Sequence, residues 1–538
     1  MSGVLDSAFA NFSGLRIVTI PDSIIVIGNS AFNNCRGLTN IVMGHNIATI
    51  GTAAFQSCSS LGQTVVPDSV TNMGSSVFKY CGLTNVTLGT NITTLGASAF
   101  QSCTKLEQIV IPEGVTNIGA SAFQSCTSLT NVTLGTNITT LGTSAFQSCS
   151  LLGHVVIPDK VTNIAASLFQ SCSSLTNVVF GGGLKMIGAS AFQSCTTLGS
   201  LTIPDSITSI GNYTFADCSG LTNLILGNAV SSIPEGAFQG CTTLATMIFP
   251  SGLTNIGNGA FQSCSNLSSL GLPDGIVGIG ASAFANCTAL GALTFPAGVH
   301  ALADSVCLNC TSLTNATIPN TIAIIGNSAF QNCVNLNSIT IPNGVASIGD
   351  YAFENCQSLS TIAIPNSVIS IGNLAFAYCY ALGIATIGNG VVSVGDHAFT
   401  YCGNLAGVYF MGNAPTNLNI FTFIYDNNGF VYYMPDATGW DNLWFSLLKV
   451  PWSPQVATPN TTSGIQTNRF GFAITGTDSM IVVVKACTDL ANPLWVPVQT
   501  NTLSGGNFPS NIPGSWYFSD SQWTNHAVRF YRLFPPGG

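Results

Sequence analysis

A leucine recurs every 23 residues along most of this chain, at Leu15, Leu38, Leu61, Leu83, Leu106 and Leu129 and onward to Leu405, with one 22-residue step where "KYCGL" drops a position. A unit reads L-x-x-[IV]-x-[IL]-[PG]-x-x-[VI]-x-x-[IL]-G-x-x-A-F-x-x-C-x-x, and seventeen successive units fit it. No single unit of that size can bury its own apolar face. Each Phe, Leu and Ile must be covered by the unit before and the unit after, which makes the chain a solenoid that lengthens without starting new cores.

Spacing inside the unit assigns the pieces. Leu129, Val132 and Leu134 mark a short strand with its apolar residues inward, closed by Pro or Gly. "VTNIG" at 115–119 is a second extended segment, with Thr116 and Asn117 outward. "ASAFQSC" then sets Ala122, Phe123 and Cys126 at helical spacing, which predicts one helical turn with Ser and Gln facing water. The expected fold class is therefore a repeat solenoid of 23-residue coils, each with a short parallel strand, a second extended segment and one helical turn. Up to Gly227 the residue closing the first strand alternates strictly between Pro and Gly, as if the array had grown by copying pairs of coils.

Seventeen of the nineteen Cys occupy one repeat position, among them Cys103, Cys126 and Cys149. The preferred reading is a small buried filler beneath the turn, beside a spine of Phe100, Phe123, Phe146 and their equivalents. Stacked cysteines are near enough for disulfides, but their Cβ vectors run parallel and seventeen is odd. A single row of sulfurs without His beside it does not converge on zinc. A nucleophilic thiol needs a base or a cation beside it. His397 with Cys402 is the one such pair to consider, and His397 reads as an outward residue. Cys307, in "DSVCLNC", takes the slot of the ring itself, so a packing defect or bend is expected at that coil.

Between Lys185 and Lys449 there is not one Lys or Arg, and the net charge is −9. Nucleic acid is not expected as a partner, and anionic membrane surfaces are poor ones, since both need a basic patch. Apolar residues make up 46% of the chain, yet no run approaches a membrane span. No phosphate loop, G-x-S-x-G, H-E-x-x-H or calcium-loop pattern occurs, so no cofactor, metal or catalytic residue is assigned. The candidate interaction face is the outward fifth position of the first strand: Thr87, Val110, Thr133, Val156, Thr202, Thr294, Thr317 and Thr340. It is β-branched and nearly uncharged, which also merely suits a strand. Ala363 and Gly271 interrupt it and count against an ice-matching lattice.

The pattern "LTNVTLGTNITTLGTSAFQSC" at 129–149 resembles the BspA-like leucine-rich repeat family, and the resemblance extends over residues 4 to about 404. It implies a non-enzymatic protein at a cell surface or outside the cell. Such a protein would be an adhesin-like scaffold for a protein or polysaccharide ligand, or a structural spacer; the resemblance does not fix its oligomeric state. The opening "MSGVLDSAFANFSGL" shows no signal-peptide pattern, and "SAFANFSGL" reads as the tail of a unit, so the chain is expected to begin inside a coil.

The domain expectation is a solenoid over 1–404, a cap over 405–452, a Pro- and Thr-rich linker over 453–468 and a small β sandwich over 469–538. The cap resembles those of the same repeat family, with its aromatics used for packing. The last segment resembles a β module found at the ends of exported proteins of environmental bacteria. An enzymatic or glycan-binding role, if any, would belong to that module.

Overall fold

In the computed structural model all but one of the regular coils contribute two short strands, which stack in parallel on their equivalents in neighbouring coils. Residues 3–426, 429–441, 443, 447–456, 464–466, 469–491, 493–503, 515–526 and 528–536 are described. In the coil beginning at Leu106 the strands are Gln108–Val110 and Asn117–Ile118. Each pairs in parallel with its equivalent 23 residues later: Val110 lies opposite Thr133, and Ile118 opposite Leu141. Ile109, Ile118, Phe123, Cys126 and Leu129 are buried. Gly119 closes the second strand because a Cβ there would come within 2.6 Å of the Ala97 amide in the preceding coil.

The third side of the coil is where the helical expectation gives way. Ala122, Phe123 and Cys126 do face the core, but the segment is a run of turns rather than a helix. Alternate amides reach the next coil instead of the preceding turn, as in Ser98 to Ala120 O at 2.8 Å, Phe100 to Ala122 O at 2.7 Å and Ser102 to Gln124 O at 2.7 Å. Amides between them close back locally, Gln101 to Ser98 O at 3.1 Å. That alternation requires left-handed residues, which Ser98 (φ 56°) and Ser102 (φ 58°) supply. Gly236, Gly240 and Gly259 take equivalent positions. Gln101, Gln124, Gln147, Gln170 and Gln193 are half-buried and hand amide hydrogen bonds from coil to coil at 2.5–2.8 Å. They form a ladder along a partly wetted edge of the coils.

Where Pro and Gly alternate, the Gly packs closely on the Pro of the preceding coil. A Cβ on Gly89 would lie 2.2 Å from Pro67 O, and one on Gly227 2.4 Å from Pro204 O. The acid following each Pro then reaches forward: Asp68 accepts the Thr90 amide at 2.8 Å, Glu113 that of Thr136 at 2.9 Å and Asp205 that of Asn228 at 2.7 Å. The Pro–acid coil and the Gly coil are two halves of one contact. These three carboxylates are backbone caps.

The chain divides into two compact units, Met1–Val299 and His300–Gly538. In the first, phenylalanines from Phe9 to Phe284 stack one per coil with centroids 5.1–6.0 Å apart. Residues 269–271, around the Gly271 noted above, form no strand. In the second unit Phe330, Phe353, Phe376, Phe399 and Phe423 stack in the same way.

Cys307 belongs to the second unit, fully buried in the ring slot, and its backbone keeps the repeat geometry, with Cys333 Sγ donating to Cys307 O at 3.2 Å. Cys307→Phe is expected to raise the unfolding temperature by about a few degrees, because a ring restores contacts that a thiol is too small to make. Thermal denaturation followed by circular dichroism checks this, and an unchanged or lowered midpoint would mean that the coil has already closed around the cysteine.

Beyond Leu405 the parallel sheet runs on through Gly407–Phe410, Phe430–Tyr433 and Leu448–Pro451. Trp440 is buried against Phe410 and Tyr433, and Lys449 donates to the Trp440 and Asp441 carbonyls. Two antiparallel sheets follow. One contains Gln455–Val456, Gly464–Gln466, Arg469–Thr475 and Ser515–Asp520, so part of the 453–468 stretch is paired strand, while 457–463 and 467–468 lie outside the described residues. The other contains Ile481–Cys487, Val496–Thr502 and Phe530–Phe534. Arg529 lies 3.1 Å from buried Asp520, an internal ion pair.

Candidate interaction face

Because the first strands stack in register, their outward third and fifth positions form two parallel columns. The third-position column is rich in amides, including Asn85, Gln108 and Asn131, and the fifth is β-branched. Thr87, Val110, Thr133, Val156, Thr202 and Thr294 in the first unit are all exposed, Val110 by 65%. So are Thr317 and Thr340 in the second. A shallow groove brings Thr87, Val110 and Thr133 together with Asn85, Pro112 and Glu113. Another joins Thr340, Ala363, Asn366 and Thr386. Val156, Thr202 and Thr294 continue the column outside these grooves. No Phe, Tyr or Trp occupies the outward third or fifth position between Asn40 and Thr361.

The column changes character at its end. Ala363, Thr386, Tyr409 and Tyr432 follow one another in register, and the last three are buried. What covers them is the terminal pair of sheets from the same unit. Tyr409 and Tyr432 share one apolar cluster with Trp452, Phe472, Met480 and Phe518. Tyr409 Oη accepts the Ile481 amide at 3.0 Å, Trp452 Nε1 donates to Ile481 O at 3.3 Å and Thr386 Oγ1 donates to Pro536 O. Burial raises the Tyr409 phenol well above its ordinary range. The strand face thus docks antiparallel β structure within this chain, which the sequence reading did not foresee. Its trace in the sequence is tyrosine at two positions where the other coils carry only Thr, Val, Ile, Gly or Ala.

The cysteines show a second role besides filling space. Cys103 Sγ donates to Phe78 O at 3.0 Å, Cys126 to Phe100 O at 3.1 Å and Cys149 to Phe123 O at 3.1 Å. Burial pushes the Cys126 thiol up to about 12, and those of Cys103 and Cys149 also rise. These groups stay protonated at neutral pH and are poor nucleophiles. The native chain at pH 8 is expected to leave them unmodified by an aromatic disulfide reagent and to release them on unfolding, a titration read by absorbance. Cys402 donates to Phe376 O, whereas the His397 ring leans on Phe421 at 5.5 Å. Among the described residues no group of three or more His, Cys, Asp or Glu is placed to hold a metal, and no helix is long and apolar enough to cross a membrane.

The profile of the BspA-type leucine-rich repeat region matches residues 2–107, 93–222, 208–337 and 301–428. The chain belongs to the BspA-type leucine-rich repeat family. Solved structures similar to it include a leucine-rich repeat protein from Bacteroides ovatus, 26% identical over 80% of this chain and 94% of that one, with a TM-score of 0.45. A leucine-rich cell surface protein from Faecalibacterium prausnitzii is 24% identical over 71% of this chain and 87% of that one, TM-score 0.36. The pneumococcal vaccine antigen PcpA is 14% identical over 84% and 92%, TM-score 0.33. No curated protein matches. The BspA-type match ends at residue 428, short of the paired antiparallel sheets.

Proposed function

We propose that this BspA-type chain is a non-enzymatic scaffold of a bacterial surface or its exterior, adhesin-like in role, whose first-strand face docks a protein ligand. The observation that carries this reading is the burial of Thr386, Tyr409 and Tyr432 beneath the chain's own antiparallel sheets. The same column stays exposed at Ala363, Thr340 and Thr317 of the second unit, and the first unit has its own exposed column at Thr294, Thr202, Val156, Thr133, Val110 and Thr87. A protein ligand suits it better than a polysaccharide, since amides and β-branched side chains offer hydrogen bonds and apolar area but no aromatic ring for a sugar to stack on. Family membership supports display at a surface or export.

The test is solid-phase binding of the full chain to a panel of extracellular-matrix proteins and, in parallel, to a polysaccharide array. Saturable retention of a protein with a blank array is expected. Retention on the array alone would replace the protein ligand with a polysaccharide, and a clean negative on both would favour the structural spacer.

A further inference from the structure

The turn corner of the second unit carries a feature that strand-face binding does not use. At the second left-handed position of each turn most coils have Ser or Asn, but the last coils have Tyr378 (φ 59°), Tyr401 (φ 59°) and Tyr425 (φ 67°). Their rings stack on the outside of the coil. Tyr378 and Tyr401 lie 4.9 Å apart at 11°, and Tyr401 and Tyr425 4.5 Å apart at 15°. Tyr401 is 37% and Tyr425 55% exposed. Backbone bonds hold the neighbouring turns together, Tyr378 N to Thr400 O at 2.9 Å and Tyr401 N to Ile424 O at 3.3 Å.

We propose that Tyr401 and Tyr425 form an oxidative cross-linking site, coupling to dityrosine when a one-electron oxidant of the peroxidase and hydrogen peroxide class reaches the surface. Each phenol gives up one electron and one proton to become a phenoxyl radical. A new carbon–carbon bond then forms between ring carbons ortho to the two hydroxyls, and the ring hydrogens return to the oxygens as aromaticity is restored. The pair loses two hydrogens in all, and one hydrogen peroxide is reduced to two waters.

Three observations make this pair the favoured site. The rings are already adjacent on a fixed backbone, so coupling is intramolecular and outruns the encounter of two molecules. Both rings are open to solvent. The ladder thiols, which would otherwise intercept the oxidant, are buried and hydrogen-bonded, Cys402 among them. The parallel cysteines are ill-placed to staple adjacent coils, whereas a dityrosine would tie the coil of Tyr401 to the segment holding Tyr425.

The experiment treats the full chain at low concentration with a haem peroxidase and hydrogen peroxide. The expected result is blue dityrosine fluorescence in the monomer, a mass lower by two hydrogens, and a cross-linked peptide joining Tyr401 to Tyr425. In Tyr401→Phe, which keeps the stack but lacks the central phenol, the monomer signal should fall to background, while Tyr80→Phe should match the wild type. Unfolding the wild type in urea before oxidation should suppress the monomer product as well. An undiminished monomer signal in Tyr401→Phe, a cross-link that maps elsewhere, or products that are only intermolecular would each overturn the assignment.

Discussion

Phe146→Ala is expected to destabilise the first unit by about 3–5 kcal/mol. The ring is fully buried and stacked between Phe123 at 5.2 Å and Phe169 at 5.6 Å. Its removal leaves a void that the neighbours cannot close, because backbone bonds set the coil spacing on both sides: Phe123 N to Ala145 O at 2.8 Å and Phe146 N to Leu168 O at 3.0 Å. Cys149→Ala removes only a sulfur and its bond to Phe123 O, so about 1 kcal/mol is expected there. In a solenoid the loss falls on the two interfaces that share the ring. Urea denaturation should therefore lose cooperativity as well as midpoint, with hydrogen exchange accelerating first in the coils of Phe123, Phe146 and Phe169. Equal costs for Phe146→Ala and Cys149→Ala would remove the ring column from its place as the main source of stability.

The second large effect is one of pH, centred on Asp426. This carboxylate is buried beside the last turn, where Oδ1 accepts the Cys402 amide at 2.7 Å. Burial raises its pKa from 3.8 to about 8, against the smaller opposing pull of that amide. With the folded value above the unfolded one, its contribution is fully present below pH 4 and drains away as pH rises through 8. The loss is on the order of 3–5 kcal/mol across that window. Asp426→Asn keeps the acceptor and cannot ionise. The variant should match the wild type near pH 4 and exceed it in midpoint at pH 9. Comparing the two chains at each pH removes the titration of all other groups. A wild type and variant that fall in parallel with rising pH would show that Asp426 is charged in the folded state.

Much of the architecture was legible because it depends on interactions one coil apart. Leu129, Val132 and Ile138 recur at a fixed step, and a fixed step with apolar sides has one economical arrangement. The turn differs from the helical expectation because Ala122, Phe123 and Cys126 fall at a spacing that a helix would also place on one face. What decides against the helix is non-local: the amides of Ser98 and Ser102 bond the next coil, and only that contact makes their left-handed backbone worthwhile. The glutamine ladder escaped for the same reason, since Gln101 and Gln124 are polar residues 23 positions apart until stacking joins them. The outward placement of Thr87, Val110 and Thr133 follows from strand alternation, which the sequence carries locally. The burial of the column at Thr386, Tyr409 and Tyr432 depends on partners such as Ile481, some seventy residues on from Tyr409, beyond the reach of any local pattern.

The central claim is that this column is the binding face, and affinity mapping tests it most directly. The protein ligand retained by the wild type is titrated against a chain carrying Val110→Asp and Thr133→Lys, and against one carrying Thr127→Lys at the exposed turn corner after Cys126. Both face positions are exposed, so folding should survive, and circular dichroism verifies this. The face variant is predicted to bind at least about tenfold more weakly, a loss of ~1.4 kcal/mol, with the corner variant unchanged. Undiminished affinity in the face variant, or a loss confined to the corner variant, would contradict the assignment of the strand face as the docking surface.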